Sequence, residues 1–300
     1  MGTRSKPILP DNAPSAAEIA RVPAEQRSGD ASLAARQRAS RADARSESEA
    51  LVRPQATLFG RRRGKRLTAR HDGLMQTALP EVALDASRPI APAALFPQGV
   101  CELWLEIGFG GGEHLAALAK AHPHVGYIGC EPFRNGVAKA LASIEAEKLR
   151  NVRLYEGDAR AIIEALPEAA LQGVYLLYPD PWPKRRQRKR RFLSDALLSR
   201  LARVMRPGAE LRFATDIDDN AGWTLARLLR SPHFIWAPET ASDWQDPWRG
   251  WPGTRYEAKA LREGRKPAYF TFRRNQAPVA QAPNGMESSD RPESGSDSKA

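Results

Sequence analysis

Val100-Cys101-Glu102-Leu103-Trp104-Leu105-Glu106-Ile107-Gly108-Phe109-Gly110-Gly111-Gly112-Glu113-His114 is the stretch that decides the fold. Its first eight residues form a short apolar run that reads as a strand, and from Glu113 an amphipathic helical pattern begins. The turn between them is rich in glycine, the residue that takes positive φ without steric cost and lets backbone approach a ligand beside a helix N-terminus. Such a turn can be purely structural, so its meaning rests on what surrounds it.

Outward from this unit, short apolar runs alternate with longer amphipathic ones. Strands are predicted at 100–107, 125–130, 152–155, 173–177, 209–214, 234–236 and 268–272, and helices at 113–121, 133–149, 159–166, 192–203 and 218–229. Alternation of this kind predicts an α/β fold: a doubly wound, mostly parallel seven-stranded sheet with helices on both faces. Ligands of such sheets sit at the carboxyl ends of the strands, near the switch point.

Carboxylates recur at those ends. Glu106 lies two residues before the first glycine. Glu131 follows the next strand about 20 residues after the turn, the place from which a carboxylate holds ribose hydroxyls. A dinucleotide site on the same unit needs a small residue at the sixth position of G-x-G-x-x-G, where this chain has Glu113. Carboxylates at 106 and 113 also repel a pyrophosphate, whereas they suit a ligand with an ammonium or sulfonium centre. S-adenosylmethionine is such a ligand, with Gly108 and Gly110 giving it close backbone approach. Asp158, after the third strand, is placed to accept from an adenine amino group or to cap the helix that starts at Ala159.

The fourth strand leads into Tyr178-Pro179-Asp180-Pro181-Trp182-Pro183. Its prolines fix φ and remove backbone donors, so Asp180 is presented with little freedom. Trp182 has two readings, stacking on a base or capping the core. Directly after it, residues 184–191 read Lys-Arg-Arg-Gln-Arg-Lys-Arg-Arg.

The net charge of +11 is concentrated in two places. Residues 1–57 carry nine Lys/Arg against seven Asp/Glu and residues 276–300 two against four, so the two ends cancel. Residues 61–66 contribute +5 and residues 184–191 contribute +7, which leaves the rest of 58–275 near neutrality. Clustered cations neutralise phosphates and release counterions, whereas a merely solvated face mixes signs. Two patches flanking one domain favour nucleic acid over a localisation tag, and make Arg61, Arg62, Arg185, Arg186, Arg188, Lys189, Arg190 and Arg191 candidate RNA contacts.

Residues 1–57 and 276–300 hold few large apolar residues and are expected to be disordered tails, which leaves one domain over 58–275. No apolar stretch approaches bilayer length and no leader opens the chain, so no membrane association and a cytoplasmic location are expected. Cys101 and Cys130 lack metal-ligand spacing, and no metal is expected; both read as buried, inert thiols.

Taken together, Phe59-Gly60-Arg61-Arg62, Glu106-Ile107-Gly108-Phe109-Gly110-Gly111-Gly112, Pro179-Asp180-Pro181-Trp182-Pro183-Lys184, Thr215-Asp216 and Thr254-Arg255-Tyr256-Glu257 resemble the bacterial tRNA (guanine-N7-)-methyltransferases of the TrmB family over about residues 58–275. The resemblance implies a class I, Rossmann-like, S-adenosylmethionine-dependent enzyme acting on the guanine at position 46 of the tRNA variable loop. It implies a cofactor pocket lined by Glu106, Glu131, Asp158 and Asp180, with Asp180 as the catalytic position. It further implies substrate-nucleotide contacts from Lys184, Asp216, Thr254, Arg255, Tyr256 and Glu257, and a monomer or homodimer. Family members often carry a His within the basic run, where this chain has Gln187 and Arg188.

The chemistry agrees with a purine nitrogen as acceptor. Guanine N7 has an in-plane lone pair and no proton, so attack on a sulfonium methyl needs orientation more than a general base. His71, His114, His122, His124 and His233 are accordingly scattered, none beside the acidic turn. Asp180 and Asp216 are expected to hold the base's N1 and N2 donors and stabilise the charge that develops. Trp244, Trp248, Trp251 and Tyr256 are candidates for stacking, with packing over the sheet edge expected of at least two. Two other classes fit less well: a methyltransferase of proteins or small molecules, and an RNA-binding module without chemistry.

Overall fold

The structure, a computed structural model, describes residues 62, 64–96 and 99–279. The expected tail at 1–57 and the candidate contact Arg61 lie outside the described residues. Of the expected tail at 276–300, residues 276–279 are described and belong to the fold: Arg274 donates to the Ala277 carbonyl at 2.8 Å and Val279 packs on the core.

Seven strands form one sheet: β1 (Glu102–Ile107), β2 (Val125–Cys130), β3 (Val152–Tyr155), β4 (Leu171–Leu177), β5 (Met205–Thr215), β6 (Phe234–Ile235) and β7 (Ala268–Arg274). Their order is β3-β2-β1-β4-β5-β7-β6. β1 to β5 run parallel, and β7 is antiparallel to both β5 and β6. The chain builds outward from β1 through β2 to β3, then returns to the other side of β1 for β4, so the switch point falls between β1 and β4.

The helices are α1 (Ala69–Thr77), α2 (Leu79–Val82), α3 (Glu113–Ala121), α4 (Arg134–Glu147), α5 (Ala159–Ala165), α6 (Asp195–Val204), α7 (Asp218–Arg230), α8 (Ser242–Gln245) and α9 (Arg255–Arg262). Two apolar clusters cover opposite faces of the sheet. Val137, Leu141 and Leu115 of α4 and α3 pack on one, and Ile162, Leu197 and Leu201 of α5 and α6 on the other. The central strands are buried on both faces, which is why they read as near-continuous apolar runs. Fully buried Phe213, Phe270 and Phe272 lock β7 against β5, each contributing about 1.5–3 kcal/mol by burial.

Every predicted strand and helix is present in the predicted order. The largest shift is at β5, which begins at Met205 because Pro207-Gly208, a turn signal, sits inside the strand: Leu171 pairs with Met205, and after an irregularity Gly173 pairs with Glu210. Gly208, at φ +84°, supplies the positive dihedral this requires. Residues 185–190 form a short 3-10 helix. Cys130 is buried, but Cys101 precedes β1 and is exposed, correcting the reading of both thiols as buried. Among the described residues no helix is long and apolar enough to cross a membrane.

Candidate functional site

Five successive strands each deliver a carboxylate to the same edge of the sheet. Glu106 is the last residue but one of β1, Glu131 follows β2, Asp158 follows β3, Asp180 follows β4 and Asp216 follows β5. The register keeps these ends level: Ile107 pairs with Cys130 and Leu176, Cys130 with Tyr155, and Leu177 with Ala214. Backbone bonds beyond the strands continue the alignment, from Gly108 N–H to Cys130 O at 2.8 Å and from Glu131 N–H to Tyr155 O at 3.0 Å.

The glycine turn is held from beneath and from the side. Gly108, Gly110 and Gly112 take φ of +73°, +60° and +79°, a region that costs other residues about 1 kcal/mol or more. Glu131 accepts from Gly110 N–H at 2.7 Å and from Phe133 N–H at 2.9 Å, tying the turn to the start of α4. Burial pushes the Glu131 carboxyl above the usual range, against the lowering by those two bonds, and nearby Asp180 and Glu106 add to the rise. Glu106 and His114 are each 3% exposed, and Glu106 Oε2 lies 2.8 Å from His114 Nδ1. Sequence reading missed this pair; its only signal was a His in the first turn of α3, eight residues after the acid. Glu113, read as facing a cationic ligand, is instead paired with Arg255 at the start of α9.

Asp158 caps α5, accepting from Arg160 N–H at 3.0 Å, and its other oxygen meets the Arg160 guanidinium at 2.7 Å. The helix-capping reading therefore holds.

Asp180 is exposed on a strained turn. Tyr178 and Trp182 sit at φ +49° and +41°, left-handed conformations that cost roughly 1–3 kcal/mol each and persist only where surroundings impose them. The basic run that follows divides. Lys184, Arg185, Arg186 and Lys189 are exposed, as an RNA contact requires. Arg190 lies 5.1 Å from the Trp182 ring centre. Arg188 pairs with Asp219 while remaining partly exposed. Arg191 corrects the expectation: it is 4% exposed, with its guanidinium bonded to Pro181 O, Asp219 O and Asp219 Oδ2. A cation so enclosed is engaged within the fold, and its signal was only its place against the apolar Phe192-Leu193.

Residues 254–257 begin α9. Thr254 caps the helix, accepting from Glu257 N–H at 3.0 Å, while the Glu257 carboxylate receives Thr254 N–H, Trp251 Nε1–H and the Tyr269 hydroxyl. Glu257 is buried, so it and Thr254 fix the helix start, and Arg255 and Tyr256 are what the segment presents outward. Tyr256, 50% exposed, leans over the turn with its ring 3.4 Å from where a Cβ on Gly110 would sit. Partial burial, with the Glu131 and Asp180 charges adding to it and Arg255 opposing, raises its phenol above the ordinary value. Of the aromatics expected to stack, Trp248 bonds Thr271 and Trp251 bonds Glu257, both packed with Tyr269 over the sheet, and Trp244 packs on the core. Asp216 is paired with Arg265 at 2.6 Å.

The first basic patch lies along the start of α4. Arg134 N–H bonds the Arg62 carbonyl at 3.1 Å, and Asn135 grips Gly64 N–H and Lys65 O at 2.8 and 2.7 Å. Lys65, Arg66 and Arg134 line an open groove of about 920 Å³ there.

This strand order, with its glycine turn after β1 and acids at the strand ends, defines a class I S-adenosylmethionine-dependent methyltransferase. Residues 101–269 match the protein family described as "Putative methyltransferase". A tRNA (guanine-N(7)-)-methyltransferase of Nitrobacter winogradskyi is 52% identical over 229 residues, 76% of this chain and 89% of that protein. One from Rhodopseudomonas palustris strain BisA53 is 51% identical over 242 residues, 80% of this chain and 96% of that protein, and one from Chelativorans is 52% identical over 217 residues, 71% and 93%. The chain belongs to the tRNA (guanine-N(7)-)-methyltransferase family, the TrmB family.

Proposed function

We propose that this protein methylates N7 of the guanine at position 46 in the variable loop of tRNA, in the cytoplasm. The observation that carries the reading is the convergence of five strand-end carboxylates on one sheet edge, with an exposed cationic turn opening directly from Asp180. S-adenosylmethionine, when bound, supplies an electrophilic methyl carbon beside an ammonium and a ribose. The donor set fits it: Glu106, Glu131, Asp158 and Asp180 offer carboxylates to a cationic, hydroxyl-bearing ligand, and Gly108 and Gly110 let backbone approach.

Asp180 and Asp216 accept from the guanine's N1 and N2 donors and leave N7 facing the donor pocket. Their charge also favours the purinium that forms, so orientation and field replace a general base. Tyr256 covers the base, while Arg255, held by Glu113, and Lys184 meet its sugar and phosphate. Thr254 and Glu257 serve by holding the start of α9. Arg62, Arg185, Arg186 and Lys189 grip phosphates as the nucleotide is drawn in.

The test is incubation of the full-length protein with methyl-labelled S-adenosylmethionine and bulk tRNA, followed by digestion and identification of the modified nucleoside. Label in 7-methylguanosine, lost when G46 is replaced in a transcript, is expected. Label in any other nucleoside, or in protein, sinks the reading. Single-turnover transfer is expected to vary little between about pH 6 and 8, since no side chain has to remove a proton. A rise through one pKa in that window, abolished by Asp180→Asn, would show that Asp180 acts as a base instead.

A further inference from the structure

Arg191 stands in the run that marks this chain as an RNA binder, yet it faces inward. Its Nε donates to the carbonyl of Pro181, the residue after Asp180, at 2.7 Å, and its two terminal nitrogens reach the carbonyl and side chain of Asp219 in the first turn of α7. Arg188 takes the other Asp219 oxygen, and the Arg191 guanidinium lies 5.2 Å from the Trp223 ring centre. One planar cation thus bridges the Asp180 turn to the helix that begins two residues after Asp216.

Two independent observations accompany this contact. Tyr178 and Trp182, on either side of Pro179-Asp180-Pro181, are held in left-handed conformations that relax unless neighbouring structure fixes them. Next to Asp219, Asn220 is 2% exposed with no partner for its Nδ2, and it lines with Pro179, Asp180 and Thr224 a void of about 10 Å³. Asn220 thus sits against the back of the acidic turn.

We propose that Arg191 and Asp219 are positioning residues for Asp180: their clamp sets the distance between the β4 turn and the β5 to α7 junction, and so between Asp180 and Asp216. The proposal rests on the reading of Asp180 given above. Lysine at 191 keeps the charge but lacks the planar fork that reaches three acceptors on two segments. Misplacement of a reacting group by about 1 Å costs on the order of 100-fold in rate.

Full-length Arg191→Lys, Asp219→Asn and Asp180→Asn enzymes are compared for S-adenosylmethionine affinity, tRNA affinity with its salt slope, and single-turnover methyl transfer. For R191K and D219N the expected result is transfer slowed by about 10- to 100-fold, with both affinities within about threefold and the salt slope unchanged. D219N guards against misfolding of the buried variant, since it leaves Arg191 bonded to backbone carbonyls. A wild-type transfer rate in R191K and D219N, beside an impaired D180N, overturns the clamp alone. Weaker tRNA binding with a shallower salt slope and a normal rate in R191K also overturns it, making Arg191 a phosphate contact. A wild-type rate in D180N overturns the reading of Asp180 and the clamp with it.

Discussion

Glu131 has a structural job that its place in the sequence did not show. Its spacing from the glycine turn marked it as a ribose acceptor; its bonds to Gly110 N–H and Phe133 N–H show that it also shapes the turn. Glutamine at 131 keeps one acceptor oxygen and turns an amide nitrogen toward a backbone donor. Hydrogen bonds to charged groups contribute about 1.5–3 kcal/mol, so Glu131→Gln is expected to weaken S-adenosylmethionine binding by about 10- to 100-fold, measured by calorimetry. An unchanged affinity removes Glu131 from the pocket. The pH dependence has a definite sign. Burial raises the Glu131 carboxyl above 4.5, so on acidification the charged form is lost at a higher pH than for an ordinary glutamate. Affinity for the donor should fall as pH drops through that raised value, and the Gln variant should lack this fall.

At the scale of elements, the glycine turn and α4 fit by contact between backbones. A Cβ on Gly136 strikes the Gly110 carbonyl oxygen. Alanine ordinarily stabilises a helix by about 1 kcal/mol over glycine, but overpacking at a rigid contact costs about 1–3 kcal/mol. The second effect should win: Gly136→Ala is expected to lower the melting temperature and weaken donor binding together. A variant more stable than wild type would show that the turn yields. Element order and type were legible because period-2 and period-3.6 apolar patterns reflect which faces are buried. The inclusion of Pro207-Gly208 in β5 and the helix at Arg255–Arg262 were not, because a strand irregularity depends on its partner strand. The polar α9 is held by a cap and by Glu257, whose donors come from distant Tyr269 and neighbouring Trp251.

At the scale of the whole molecule, charge is divided between contacts made within the fold and cations left exposed to solvent. Lys184, Arg185, Arg186 and Lys189 remain exposed in the second patch, while Arg188 and Arg191 are engaged with Asp219. Replacing Arg185, Arg186 and Lys189 together by alanine is expected to reduce tRNA affinity and to lower the log-log salt slope by about two to three, at roughly 0.7–0.9 for each phosphate that is no longer neutralised. Donor affinity should stay as it was. A salt slope equal to the wild type's takes the exposed turn out of the tRNA interface.

The sequence by itself determined the order of strands and helices, the glycine turn, the acids at strand ends and the two cationic patches. Each is written in local spacing and composition, and local pattern is set by which neighbours along the chain share a buried face. Only the tertiary structure decided which of those charges serve one another. The partners of Arg191, Glu113, Glu106 and Glu257 arrive from segments whose approach is fixed by sheet register and helix packing, and a side chain's environment depends on that approach rather than on its own identity.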